Sequence, residues 1–149
     1  MTAQAVGRGR GRWTFGTATL RARGTMRTGV LHTDAGEFAL EATDRDRVGV
    51  VARADGRPVV ALHPDGSRIP GPGGPARWSL GRHSGTLTRG ADRIHVRTGW
   101  PGSPPRVEIT GTWAERELVV LTACFAVLSR RRRRMMIAIA IAIAARPGG

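Results

Sequence analysis

The sequence has no lysine, no tyrosine and no asparagine, and a single cysteine among 149 residues. All 24 basic residues are therefore arginine. Loss of lysine from every region alike reads as the signature of a GC-rich coding sequence, so arginine content by itself assigns no function. The lone Cys124, inside the apolar run Leu121-Thr-Ala-Cys-Phe-Ala-Val127, excludes an intrachain disulfide and a cysteine-based metal cluster. It also fits a reducing, cytoplasmic setting. Aromatics make up 5% of the chain, which leaves little for a base-stacking surface. No apolar run reaches the roughly 20 residues of a bilayer-spanning helix, and the amino terminus lacks the apolar core of a secretory signal.

Acidic residues are missing from both ends. Residues 1–27 hold six arginines and no acid, residues 28–117 hold twelve arginines and all eleven acids, and residues 118–149 hold six arginines and no acid. The formal charge of +13 is thus almost wholly terminal, around an electrically balanced middle.

Residues 1–12 end in Gly7-Arg-Gly-Arg-Gly-Arg12, with no apolar periodicity, and read as a flexible Arg/Gly arm. From Trp13 onward, short segments rich in Val, Thr, Ile, Leu and Phe alternate with turn residues, the pattern of an antiparallel β domain. The clearest hairpin is Val48 to Arg53, Asp55-Gly56, then Pro58 to Leu62, where Asp-Gly supplies the positive φ angles of a tight turn. Asp65-Gly66 and Thr33-Asp-Ala-Gly36 mark two more turns. Further strands are expected at Trp13 to Leu20, Met26 to Leu31, Glu37 to Leu40, Arg77 to Leu80, Gly85 to Thr88, Arg93 to Arg97 and Arg106 to Trp113. Ile94 and Val96 share a face, as do Val107 and Ile109. In all, nine or ten strands are expected. The Pro/Gly-rich stretches Ile69 to Pro75 and Trp100 to Pro105 are loops.

After Trp113 the pattern changes. Glu115 and Glu117 open a helix, with carboxylates at the positive end of its dipole, and Leu118 to Leu128 follow as 11 apolar residues. Such a run is apolar all round, as in a helix buried on every side. Arg130, Arg131, Arg132, Arg133 and Arg134 are expected to end that helix near residue 129. A second run of 11, Met135 to Ala145, alternates Ile and Ala. A span joining the two runs would put five arginines near the bilayer midplane, at about 2.5–3.5 kcal/mol each. A transmembrane reading is therefore rejected.

Short strands joined by the Asp34-Ala-Gly36, Asp55-Gly56 and Asp65-Gly66 turns, and ending in the hydrophobic helix from Glu117 to Leu128, resemble the tubby C-terminal-like fold. Proteins related to LURP-one and phospholipid scramblases share that fold. The resemblance lies in element order and covers Trp13 to Ser129. It implies a closed antiparallel barrel around a central helix, and it implies contact with lipid, since tubby-type members bind phosphoinositide headgroups and scramblases act at membranes. The segment from Arg130 to Ala145 lies outside that pattern.

Catalytic and metal-binding chemistry finds little footing. His32, His63, His83 and His95 show no metal-ligand spacing. Asp44 and Asp46 read as a charged loop. Ser79, Ser84 and Ser103 lack a nucleophile elbow, and the glycines of the amino-terminal arm follow no strand, so they form no phosphate-cradling loop. No cofactor is expected.

The sequence thus predicts an all-β domain over residues 13–129, a closed barrel or barrel-like sheet around a helix at 115–129, between a flexible arm and a tail of residues 130–149. The expected role is non-enzymatic, in the cytoplasm at the membrane periphery. Arg130 to Arg134 would contact anionic lipid while Met135 to Ala145 insert shallowly. The alternative is an arginine-rich nucleic-acid-associated protein, in which Arg8, Arg10 and Arg12 bind phosphates beside Trp13 and Phe15.

Overall fold

The computed structural model describes residues 3–99 and 103–145. In chain order the strands are β1 (Ala3–Ala5), β2 (Gly7–Gly9), β3 (Arg12–Phe15), β4 (Ala18–Arg21), β5 (Thr28–Thr33), β6 (Gly36–Thr43), β7 (Gly49–Ala54), β8 (Arg57–Leu62), β9 (Arg77–Leu80), β10 (Ser84–Arg89), β11 (Asp92–Arg97) and β12 (Arg106–Thr110). One helix, α1 (Arg116–Ala144), follows them. The strands form two antiparallel sheets, ordered β1-β12-β11-β10-β9 and β2-β3-β4-β5-β6-β7-β8.

Alternation sets which side chains face inward. Phe38, Leu40 and Ala42 of β6, Leu87 of β10 and Ile94 and Val96 of β11 are buried, while their neighbours face outward. Asp55 and Gly56 both take positive φ (51° and 78°), as a two-residue hairpin between β7 and β8 requires. Helix α1 packs on strands of both sheets. Every residue from Leu118 to Ser129 is buried, and each large apolar side chain so placed contributes about 1.5–3 kcal/mol.

Four expectations need correction. First, the amino-terminal segment is a pair of strands: β1 pairs with β12, and β2 pairs with β3. Ladder pairing uses the backbone alone, so exposed arginines and glycines serve in an edge strand, and Val6 at 1% exposure anchors the passage between the sheets. Second, Trp13 to Leu20 is two strands, because Gly16 turns the chain at φ 60°. Third, α1 runs through the arginines without a break. Arg, Met and Ala are good helix formers, and neither Gly nor Pro occurs between Gly111 and Pro147. Fourth, the hydrogen-bonded ladder is two sheets and no closed barrel among the described residues. Between β8 and β9, isolated bridges, Ala61 to Arg68 and Ser67 to Ala76, take the place of a continuous ladder among the described residues. Of the two expected loops, Ile69 to Pro75 holds no strand or helix, whereas Trp100 to Gly102 lie outside the described residues.

Candidate functional site at the helix exit

Helix α1 leaves the β body at Ser129, and the five arginines that follow divide by helical position. Arg130 and Arg134 are four apart and share a face. Arg130 donates to the Gly81 carbonyl at 3.2 Å and Arg134 to the Arg82 carbonyl at 2.7 Å, tying the helix to the β9–β10 loop. Arg131 and Arg132 fall on a second face with Leu128 and Met135, at the i, i+3, i+4, i+7 spacing of one helical stripe. That stripe lines a cavity of about 680 Å³. Arg133 has a buried Nε without a hydrogen-bond acceptor among the described residues.

The cavity's other walls are Arg8 of β2, Arg10, Trp13 of β3, and Ala22, Arg23 and Met26 between β4 and β5. Five guanidiniums therefore line it, and no carboxylate does among the described residues. Arg131, one of the five, has a buried Nη1 with no acceptor among the described residues. Burial first, and the charge of Arg8 second, lower the proton affinity of Arg131 below the ordinary arginine range.

A sixth arginine braces the exit from behind. Arg47, 5% exposed, donates from Nη1 to the Ser129 carbonyl at 3.2 Å and to the Thr25 carbonyl. Its proton affinity is also lowered, by burial and then by Arg27 and Arg133. Arg130 is shifted down by burial and by Arg134, against an opposing pull from Asp46.

Past this collar the helix is apolar and uncovered. Ile137, Ile139, Ile141 and Ile143 are 39%, 57%, 63% and 64% exposed. Met135 to Ala144, ten helical residues, rise roughly 15 Å. No helix among the described residues is long and apolar enough to cross a membrane.

The helix's other end is acidic. The Glu117 carboxylate accepts from the Thr17 backbone N–H at 3.3 Å and the Thr17 hydroxyl at 3.0 Å, and that hydroxyl also lies 3.0 Å from Asp34. Glu115, expected as a capping residue, makes no side-chain cap.

Elsewhere the polar groups are locally tied. His63 Nε2 lies 2.7 Å from Asp44, and its Nδ1 accepts the Asp65 N–H at 3.1 Å, so both ring nitrogens are engaged in holding a turn. Thr86 Oγ1 and His95 Nδ1 are 2.7 Å apart. The His83 carbonyl accepts from Thr98, and His32 sits 3.7 Å from Glu37. Ser79 bonds the Thr86 carbonyl. Among the described residues no group of His, Cys, Asp or Glu is placed to hold a metal ion. Cys124 is fully buried, which pushes its thiol up to about 12.

The structure thus brings the tail arginines together with Arg8, Arg10 and Arg23. That convergence was hidden because the amino-terminal segment reads as a free arm. The visible signal was the spacing of Leu128, Arg131, Arg132 and Met135. Comparison with protein-family models, curated proteins and solved structures finds no match.

Proposed function

We propose that this protein is a non-enzymatic tubby-like, LURP-one-like module whose strands wrap a central helix, and that it docks on anionic membrane surfaces from the cytoplasm. Arg130 to Arg134 supply the headgroup contact, and the apolar end of α1 inserts beneath them. The observation that carries the reading is the helix end itself: four exposed isoleucines projecting beyond a collar of arginines.

The magnitudes favour the same division of labour. An arginine near an anionic surface gains about 1 kcal/mol. Moving an exposed isoleucine out of water gains about 1.5–3 kcal/mol when complete, so the apolar end supplies strength and the collar supplies the preference for negative charge. Arg130 and Arg134 keep part of their hydrogen bonding in the β9–β10 loop, so Arg132, exposed at the rim of the collar, is the most available contact.

Nucleic-acid binding has less support. Trp13 and Phe15, the aromatics adjacent to the arginine-glycine segment, are 5% and 7% exposed, and the little surface that Trp13 keeps, at the cavity beside the helix exit, is too small to stack a base.

The test is flotation of the full chain, and of a chain ending at Arg134, with anionic and with neutral vesicles. The full chain should float with anionic vesicles, less so in high salt, and the shortened chain should lose most of that binding. Equal flotation with neutral vesicles, or none with either, would overturn the reading. Salt-sensitive retention on RNA that survives removal of residues 130–149 would favour the nucleic-acid alternative.

A further inference from the structure

The cavity beside the helix exit has two chemistries facing one space. Arg8, Arg10, Arg23, Arg131 and Arg132 line it, and Trp13, Met26, Leu128 and Met135 add apolar surface to the same walls. Its volume of about 680 Å³ lies within the usual range for small-molecule sites, about 300–1,000 Å³. Buried donors without acceptors are costly, and Arg131, one of the lining residues, has a buried Nη1 with no acceptor among the described residues.

We infer that this cavity binds a single-chain phosphate monoester amphiphile, with its phosphate between Arg8 and Arg131 and its chain along Trp13, Leu128 and Met135. A phosphate monoester carries close to two negative charges and three acceptor oxygens, which suits several converging guanidiniums better than a carboxylate does. The apolar chain accounts for the hydrophobic wall, which inorganic phosphate would leave wetted. The site goes beyond the surface reading above, because Ile137 to Ile143 take no part in lining it.

The test is calorimetric titration of the full chain with octyl phosphate below its micelle concentration, beside inorganic phosphate and octanol. No vesicle is present, so failure here is separate from failure of membrane docking. One octyl phosphate should bind per chain. It should bind at least about tenfold more tightly than inorganic phosphate, the gain expected from burying as few as two methylenes. Octanol should bind more weakly as well. Arg131→Gln and Arg8→Gln should each weaken octyl phosphate by about tenfold to a hundredfold, the range for a charge-assisted hydrogen bond. Arg12→Gln, at an exposed position of β3 and outside the cavity, should leave affinity unchanged. Equal binding of octyl phosphate and inorganic phosphate, an equal loss with Arg12→Gln, or absence of binding would each overturn the inference. If one cavity variant fails to fold, the other and the ligand series still decide it.

Discussion

Arg131 of α1 and Arg8 of β2 face one cavity from opposite ends of the chain, and burial together with the Arg8 charge weakens the hold of Arg131 on its proton. Among the described residues the cavity wall carries five arginines and no carboxylate, and Arg131 has a buried Nη1 with no acceptor. A buried donor of this kind is costly for the protein alone. Arg131→Met should therefore raise stability by about 1 kcal/mol, by removing a buried donor that has no acceptor among the described residues. In a chain of 149 residues that is a rise of roughly 2–4 °C in Tm, to be read by calorimetry, at the expense of octyl phosphate binding.

The close approach of Trp78 to Gly85 gives a second prediction. A β-carbon on Gly85 would collide with the six-membered ring of Trp78 and lie 2.9 Å from Val127 Cγ2 of the central helix. Gly85→Val should cost about 1–3 kcal/mol or more through overpacking, measured by denaturant unfolding. Gly24→Ala meets no atom within 4 Å, so it tests the effect of positive φ (62°) without collision and should cost less.

Val120 is fully buried on the helix between the sheets. Val120→Asp should abolish soluble folding, because an unpaired carboxylate there has neither water nor a partner. Recovery of folded, monomeric Val120→Asp protein would contradict the buried-helix account.

Cys124 supplies a pH-dependent prediction. Its thiol is ordinarily ionised above pH 9.0 and in the fold only above about 12. Below pH 9.0 both folded and unfolded chains keep the proton and stability is intact. Between those values the unfolded chain alone loses it, so stability should fall as pH rises, by up to about 1.4 kcal/mol per unit. Cys124→Ala should flatten that slope in denaturant unfolding across the alkaline range. At neutral pH the native thiol should resist maleimide and react once the chain is unfolded.

Much of the body is legible from the residues. The Asp55-Gly56 turn, the alternation of Ile94 and Val96, and the all-apolar stretch from Leu118 to Leu128 each state a local preference that the tertiary structure keeps. What was hidden depends on contacts remote in sequence. Strand β2 has no side-chain pattern, because its arginines are exposed and its pairing with β3 is purely backbone. The turn at Gly16 is held by Thr17 bonding to Glu117 from another element, and nothing in the local residues announces it. The arginine run reads as a helix end, since charge usually marks one. Here the loop carbonyls of Gly81 and Arg82 accept from Arg130 and Arg134, and the helix continues. The candidate site was legible by half: the tail arginines were visible, and Arg8, Arg10 and Arg23 as their neighbours were not.

The central claim is that the uncovered end of α1 enters an anionic membrane. An environment-sensitive fluorophore on Ile141→Cys tests it most directly, since buried Cys124 stays silent to labelling in the native protein. On adding anionic vesicles, emission from position 141 should shift to the blue and intensify, while the same fluorophore on Ala35→Cys, on the opposite acidic end, should not change. An unchanged signal at position 141, or an equal response to neutral vesicles, would contradict the account.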